Sequence, residues 1–449
     1  MNIRHSVVGK MIVLLACGIF ASGAAYAQDS EREERDKAKT KQAQAVSKQV
    51  YDKIQRAQEE IDADDPQAAL KILNGLKNGK LTEYELQNVL NYIGFVYYNM
   101  EQIPQAIATY EEMLRIPSIE EQIKKQTVYT LAQLSTMEED YNKALRLLDE
   151  WFTLETNPAP EPYILYAQNL YQVNRYADMV EPIESAMGVA RKRGMPVKED
   201  WYVLLNFAYF QQEDYVKVRD IQKILLASWP KKRYWFSLAG AYTELGEEQN
   251  LLTSYDAAHT QGMLEKESEL VTMAQLYMQH EIPYKAGVLL EKEMEAGRVT
   301  KNAKNYRLLS QAWQLANEDA KAIPALKEAA RLSDEGELNL RLANAHLNLD
   351  QFGECVVAVR EGIRKGGIKS PDNAQITLGM CLYNQQKYRE AITAFREAGK
   401  TPRSRRVANQ WTRVIESDIE RNEQIRLAEA AAARQQRELA ERRRASNRS

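Results

Sequence analysis

Cysteine, glycine and histidine are all scarce in this chain of 449 residues, which contains 3 Cys, 20 Gly and 4 His. Three cysteines cannot build the disulfide framework that holds many small secreted domains together. No two of them have the spacing of a zinc knuckle or a redox motif. The glycines form neither a phosphate-cradling loop nor a nucleophile elbow. These absences argue against several classes of enzyme and metalloprotein.

Candidate metal ligands are isolated along the sequence. The histidines have no second imidazole or carboxylate at ligand spacing; they are His5, His259, His280 and His346. Asp62, Asp64 and Asp65 look like the start of a calcium loop, but the required glycine and terminal glutamate are missing. We expect these aspartates to cap the helix that Pro66 opens. We therefore predict no catalytic residue, no cofactor and no metal.

Long hydrophobic runs are also absent. The longest, 11–21, has eleven residues, which is too short to span a bilayer comfortably. Arg4 and Lys10 precede this run, and a small-x-small cleavage site follows it at 25–27. This order is typical of a secretory signal peptide. We predict a signal peptide over 1–27 and a protein exported to a bacterial periplasm.

The leader has a second interpretation. Residues 14–17 resemble a lipobox, in which case a lipidated Cys17 would anchor the chain to a membrane. After the leader, 28–45 is almost all charged near its start, and we expect a partly disordered lead-in there.

What the sequence does contain is a recurring pair of helices. A small residue is followed twelve positions later by a residue of the next helix that can pack against it. In the clearest copy, Gly379 and Ala391 are small where two antiparallel helices approach, while Leu382 and Phe395 are large enough to fill the gap. The pattern resembles the tetratricopeptide repeat. Steps of 33 to 39 residues place the first small position at Ala57, Gly94, Ala132, Ala167, Asn206, Ala239, Ala274, Ser310, Ala343 and Gly379.

The resemblance implies an all-α fold, a right-handed superhelix or α-solenoid of about ten helical hairpins over 46–402. The alternative is a generic helical bundle whose Ala-rich helices match the pattern by chance. After the last hairpin, 403–420 keeps helical spacing and is expected to cap the open apolar end. The apolar positions of this cap are Ala408, Trp411, Val414, Ile415 and Ile419.

Charge is unevenly distributed along the chain. From Lys400 onward there are 13 Lys and Arg against 7 Asp and Glu, whereas the whole chain has a net charge of −3. The Ala, Arg and Glu-rich tail, 421–449, is therefore either a solvated helical or disordered end, or a basic arm that touches lipid headgroups, peptidoglycan or an acidic partner. An acidic array in an exported protein disfavours nucleic acid as a partner.

The resemblance also implies a concave binding groove. Positions 2, 5, 9 and 12 of each first helix lie on one stripe, and this stripe lines the concave surface of the family. Rings supply contact area and carboxamides bond to a peptide backbone. The alternative is that some rings pack against the neighbouring hairpin. The predicted partner-binding residues, with Val203 beside them, are Asn88, Asn91, Phe95, Tyr98, Gln126, Tyr129, Gln133, Gln168, Tyr171, Phe207, Phe210, Arg233 and Phe236.

Three further details follow from the repeat register. Cys355 and Cys381 lie in adjacent hairpins, where either a disulfide or two buried thiols is conceivable; we favour the thiols. His346 occupies a position normally filled by a packing aromatic residue, so we expect it in the core. Arg307 belongs to a cluster similar to the carboxylate clamp of chaperone-binding repeats, but its companion positions do not complete the clamp.

We therefore predict a non-enzymatic periplasmic scaffold that binds protein or peptide segments. The exported array and its basic tail resemble the periplasmic repeat proteins associated with TonB and ExbB/ExbD systems. That resemblance implies a TonB-type transducer or an outer-membrane receptor as partner, and a role in uptake. Two alternatives stay open: an envelope or cell-wall assembly factor, anchored as a lipoprotein at Cys17, and a peptidoglycan-active enzyme.

Overall fold

The computed structural model describes residues 46–446. The predicted signal peptide, the lipobox and the charged lead-in therefore lie outside the described residues. The chain divides between Val197 and Lys198 into two compact units, each of which is described by itself. Within 46–446 all regular structure is helical.

The N-terminal unit contains hairpins 1 to 4, each made of a first and a second helix. Their bounds are Lys48–Asp62 and Pro66–Lys77, Glu83–Asn99 and Ile103–Leu114, Glu121–Met137 and Tyr141–Leu154, and Pro160–Gln172 and Val180–Lys192. One turn of 3₁₀ helix, Ala177–Met179, precedes the last of these.

The C-terminal unit contains hairpins 5 to 10 and a long C-terminal helix. The hairpins are Glu199–Gln211 and Tyr215–Ser228, Lys232–Glu244 and Glu248–Thr260, Glu267–Gln279 and Pro283–Glu295, Ala303–Leu315 and Asp319–Arg331, Gly336–Asn348 and Phe352–Lys365, and Pro371–Asn384 and Tyr388–Ala398. The C-terminal helix is Pro402–Ser446.

The turn inside every hairpin has the same geometry. Seven residues after each predicted small position, the backbone takes a left-handed conformation, with φ between 56° and 62° at nine non-glycine residues and 68° at Gly246. In hairpin 2 the amide of Glu101 donates to Tyr98 O and that of Gln102 donates to Tyr97 O, both at 2.9 Å. These two bonds form a Schellman motif, which satisfies the last carbonyls of a helix. The ten turn residues are Asp64, Glu101, Glu139, Asn174, Glu213, Gly246, Glu281, Asn317, Asp350 and Gln386.

The residue after the left-handed one starts the second helix in several hairpins. Asp65, Asp140 and Asp214 are N-caps whose carboxylates accept an amide hydrogen bond from three residues further on, at 2.9 to 3.1 Å. Capping of this kind satisfies an amide that has no partner inside the helix. The prediction that aspartates cap the helix opened by Pro66 is thus confirmed for Asp65.

The predicted small positions lie in the core. Nine of the ten are buried, and Asn206 is half-buried. Gly94 and Gly379 face the rings of Tyr110 and Phe395, and a Cβ on either glycine would come within 3.0 Å of ring atoms. The ten-hairpin, all-α repeat architecture is therefore confirmed, while the right-handed superhelical sense stays a prediction.

The C-terminal helix closes hairpin 10 with its first five turns. Ala408 and Ile415 are buried, and the ring of Trp411 stacks on that of Phe395 at 5.6 Å with an interplanar angle of 1°. Val414 and Ile419, expected in the cap, lie on the exposed side. The same helix continues to Ser446 across the boundary predicted at 420.

A charged anchor at the start of this helix was not predicted. Asp372 in hairpin 10 has only 3% of its side chain exposed and accepts hydrogen bonds from Arg403 and from Ser404 Oγ, the latter at 2.5 Å. Arg403, then Ser404, hold the pKa of Asp372 far below its ordinary value, although burial acts in the opposite direction. The C-terminal helix is thus fixed by both apolar packing and a charge pair.

The preference for two buried thiols was wrong. Cys355 and Cys381 are both fully buried and form a disulfide, with Cα atoms 6.1 Å apart. This distance is within the range that a disulfide spans without backbone movement. The bond joins the second helix of hairpin 9 to the first helix of hairpin 10. The repeat register placed the two residues in adjacent hairpins but could not give the direction of their side chains.

Candidate functional site

Hydrogen bonds and ion pairs between side chains join helices that occupy the same place in successive hairpins. In the N-terminal unit, Thr136 and Asn169 on the first helices of hairpins 3 and 4 are hydrogen-bonded at 3.1 Å. Lys77 and Glu112, on the second helices of hairpins 1 and 2, form an ion pair at 2.6 Å. These contacts place the first helices of hairpins 3 and 4 side by side, and likewise the second helices of hairpins 1 and 2.

We call the residues at positions 2, 5, 9 and 12 of the first helices of hairpins 1 to 4 the N-terminal stripe. Nine of its sixteen residues were predicted to bind a partner. Gln126 is exposed and the other eight are half-buried: Asn88, Asn91, Phe95, Tyr98, Tyr129, Gln133, Gln168 and Tyr171. The seven remaining members are Tyr51, Ile54, Gln58, Ile61, Thr136, Glu161 and Ile164.

Tyr129 combines packing with surface exposure. Its ring lies 5.0 Å from that of Trp151 on the second helix of the same hairpin. Burial raises the pKa of its phenol to about 12, with a smaller contribution from the negative charge of Glu161, while a hydrogen bond to Gln133 acts in the opposite direction. This ring contact lies within hairpin 3, so the alternative that rings of the stripe pack against the neighbouring hairpin stays a prediction.

Charge is nearly absent from the N-terminal stripe. Only one of its sixteen residues, Glu161, is an Asp, Glu, Lys or Arg, although these four residue types make up 27% of the whole chain. Three carboxamides on successive first helices, Asn91, Gln126 and Gln168, make no side-chain hydrogen bond to any described residue. They are therefore available to a ligand. The combination of aromatic and carboxamide side chains could have been extended to hairpin 1 from the repeat register alone, because Tyr51 and Gln58 occupy positions 2 and 9 there.

In the C-terminal unit the predicted residues lie on the first helices of hairpins 5 and 6. Phe210 is 50% exposed, with its ring 6.1 Å from that of Tyr215. Val203 and Phe207 are half-buried. The ring of Phe236 meets the ring of Tyr255 edge-on at 5.5 Å. These apolar side chains keep part of their surface accessible.

Arg233 is exposed but engaged. Its guanidinium contacts Glu199 at 2.7 Å and lies 4.7 Å over the ring of Tyr234. Lys231, then Tyr234 and Arg233, lower the pKa of Glu199 to about 2. A partner that used Arg233 would have to compete with this carboxylate, which lies 34 residues earlier and cannot be seen from the repeat pattern.

Other candidate residues have structural partners. Arg307, of the incomplete clamp, forms an ion pair with Glu335 at 2.6 Å. His346 is buried, as predicted, and its Nδ1 lies 2.6 Å from Gln351 Oε1. Among residues 46–446 no three His, Cys, Asp or Glu side chains gather as a potential metal site. In the same part of the chain, no helix combines the length and apolarity needed to cross a bilayer.

Comparison with known proteins gives structural similarity alone. No family model matches the chain, and no curated protein matches it. A tetratricopeptide repeat protein from Parabacteroides merdae ATCC 43184 aligns with 14% identity, a TM-score of 0.34, and coverage of 59% of this chain and 99% of its own. YrrB, a TPR protein with an unusual peptide-binding site, aligns with 16% identity, a TM-score of 0.32, and coverage of 39% and 89%.

A third similar structure is that of Naa15/Naa10 bound to HypK-THB, with 11% identity, a TM-score of 0.42, and coverage of 81% of this chain and 66% of the other. The fold is established by the turns and packing of the chain itself. The described residues form an all-α array of ten helical hairpins followed by a long C-terminal helix.

Proposed function

We propose that this protein is a non-catalytic scaffold that binds other proteins through the first helices of its hairpins. The observation that carries the proposal is the N-terminal stripe, where aromatic rings and carboxamides stay accessible on four adjacent helices. Rings of this kind contribute contact area at low entropic cost, and carboxamides can bond to an incoming backbone. Partly exposed rings such as Phe210 make the C-terminal unit a second contributor.

The proposed location is the bacterial periplasm. The basic, apolar and small-x-small segments of 1–27 support export. The disulfide between Cys355 and Cys381 supports it independently, because disulfides persist mainly in oxidising compartments.

We further propose that the partner is a periplasmic segment of a TonB-type transducer or of an outer-membrane receptor. The general resemblance of the exported array and its tail to repeat proteins of such systems supports this partner. The scaffold would then assist the uptake of large nutrients across the envelope.

In-cell photo-crosslinking tests the proposal. A photoreactive phenylalanine analogue replaces Phe95 on the stripe or, as a matched control, Gln105, an exposed residue on the second helix of the same hairpin. We expect a specific crosslink from position 95 and none from position 105. Equal crosslinking from both positions would contradict a binding role for the stripe.

Ring truncation gives a second measurement. Replacing Tyr98, Tyr129 and Phe210 with alanine should leave the helical content largely intact and weaken the crosslink, because central aromatic anchors each contribute about 2 kcal/mol or more to binding. Identification of the captured protein by mass spectrometry then decides the pathway. A cell-wall assembly protein as partner would favour the envelope-assembly alternative over uptake.

A further inference from the structure

The C-terminal helix is attached to the rest of its unit through hairpin 10. Ala408 and Ile415 are buried, and the ring of Trp411 contacts the rings of Tyr383 and Phe395 at 5.5 and 5.6 Å. Among the described residues, the side-chain hydrogen bonds, ion pairs and ring contacts of this helix with other elements all go to hairpin 10 or to the turn after it. The position of the helix therefore depends on that of hairpin 10.

Hairpin 10 is joined to hairpin 9 by a covalent bond besides the main chain. This bond is the disulfide between Cys355 and Cys381. The noncovalent links between the same two hairpins include the ion pair of Arg360 with Glu390, whose side chains are 57% and 53% exposed. An ion pair exposed to this extent contributes little to stability. The disulfide is therefore the stronger tie.

The disulfide makes the opening of hairpin 10 less favourable. A terminal hairpin of a repeat array is supported by a neighbour on one side only, so it opens more readily than an interior one. With the bond intact, the opened chain is still closed into a loop between two cysteines that are 26 residues apart. Loss of this constraint makes opening roughly 300-fold more favourable. The C-terminal helix opens with the hairpin on which it packs.

Burial controls access to the bond. Both cysteines are fully buried, and a reductant must reach a sulfur atom to react. A dithiol reacts in two steps: its first thiolate attacks one sulfur, forms a mixed disulfide and releases the other cysteine as a thiolate. Its second thiol then releases the remaining cysteine and leaves a cyclic oxidised reductant. The cystine gains the two electrons and two protons that the dithiol loses, and the reaction requires an open hairpin 10.

We propose that the disulfide between Cys355 and Cys381 is a redox switch for the C-terminal helix. In the oxidised state it holds hairpin 10 and the helix in place, and in the reduced state both open as one unit. The helix is then firmly held only in an oxidising compartment, because disulfides persist there. This inference goes beyond the scaffold function and does not involve the N-terminal stripe, so failure to crosslink at position 95 would leave it standing.

Hydrogen exchange measured by mass spectrometry on the purified protein tests the switch. The oxidised protein is compared with protein refolded in dithiothreitol. We expect reduction to speed exchange over 371–420 by roughly 300-fold and to leave hairpin 8 unchanged. The double variant Cys355→Ala, Cys381→Ala is the control, and it should exchange alike with and without dithiothreitol. Unchanged exchange over 371–420 would overturn the proposal, as would faster exchange in hairpin 10 that does not extend to 402–420.

A matched pair of variants tests the coupling in the other direction. If the disulfide holds the helix, loosening the helix must expose the disulfide, because coupling is reciprocal. Ile415 is fully buried, whereas the adjacent Val414 is 41% exposed. Ile415→Ala removes packing beneath the helix and should speed reduction by dithiothreitol tenfold or more, while Val414→Ala should not speed it.

The released thiols of Cys355 and Cys381 are alkylated with iodoacetamide and quantified by mass spectrometry. Exchange in hairpin 8 shows whether each variant keeps the rest of its unit folded. A disulfide with a purely local role would not respond to a residue of the C-terminal helix. Equal reduction rates in the two variants would therefore overturn the switch.

Discussion

Gly379 and Phe395 provide the sharpest test of the packing between helices of one hairpin. A Cβ on Gly379 would come within 2.8 Å of the Phe395 ring, which is itself fully buried. Gly379→Ala therefore combines a packing penalty of about 1 to 3 kcal/mol with a gain in helix propensity of up to about 1 kcal/mol. We expect a net loss of stability. Phe395→Ala should cost about 3 to 5 kcal/mol, because it leaves a cavity beneath Trp411.

The double variant Gly379→Ala, Phe395→Ala shows whether the cost of Gly379→Ala comes from steric contact with the Phe395 ring. With the ring of Phe395 removed, the new methyl group at position 379 meets empty space. Gly379→Ala should then stabilise the Phe395→Ala protein by up to about 1 kcal/mol, so that its effect changes sign. The matched control is Gly240→Ala, at a glycine in the first helix of hairpin 6 with nothing within 4 Å of the added Cβ. It should stabilise the protein in either background.

Local measurement is needed because repeat arrays often unfold in parts, and one melting temperature then loses its meaning. Hydrogen exchange at the amide of Leu382 reports the opening of hairpin 10. Thermal melts by circular dichroism supply the global comparison. If Gly379→Ala raises the protection of Leu382 as Gly240→Ala raises protection within its own hairpin 6, close approach of the ring is not the reason for a glycine at position 379.

Three further predictions concern other parts of the C-terminal unit. Asp372→Asn should release the C-terminal helix and red-shift Trp411 fluorescence. Because the pKa of Asp372 is lowered in the fold, its stabilisation is complete above its ordinary pKa of about 4 and is lost progressively as the pH falls from that value through the lowered pKa. A stability advantage of the natural protein over Asp372→Asn that does not shrink as the pH is lowered would contradict this. Reducing the disulfide, whose cysteines are 26 residues apart, should lower the stability of hairpin 10 by roughly 3.5 kcal/mol; unchanged exchange there would refute it. Glu213 and Gly246 both have positive φ, a conformation that glycine adopts more easily than other residues. Glu213→Gly should therefore stabilise the protein by roughly 0.5 to 1 kcal/mol and raise its melting temperature, whereas Gly246→Ala should lower the melting temperature. Shifts of the same sign in the two variants would contradict a role for backbone strain in the turns.

The repeat register could be predicted because close helix packing restricts residue size at fixed intervals. Ala132 and Gly379 are small for that reason alone. Ser310 fits the same position because its hydroxyl donates to Arg307 O at 2.7 Å, so a buried polar atom is satisfied within the helix. The left-handed turns could not be predicted, because glycine, their usual sequence signal, occurs at only one of the ten.

The candidate site could be predicted only in part. Repeat positions indicate which side chains share a strip of surface, and Asn91, Gln126 and Phe210 are accessible there. Repeat positions do not show what each side chain contacts. The packing of Tyr129 on Trp151 and the ion pair of Arg233 depend on residues outside the stripe. Such contacts follow from the three-dimensional neighbourhood and not from sequence spacing.

The uniform turns also bear on how the chain tolerates changes in length. In every hairpin the left-handed turn residue follows the small position by seven residues, as Glu101 follows Gly94. Consecutive small positions, by contrast, are 33 to 39 residues apart. The variation in length therefore lies outside this segment, in the connectors between hairpins, in the second helices and in the first turns of the first helices. A foreign loop placed in such a connector would preserve both flanking hairpins, whereas one residue added between Gly94 and Glu101 would rotate the helix that carries the docking residues. Evolution or engineering could thus lengthen the binding surface by whole hairpins without redesigning any of them.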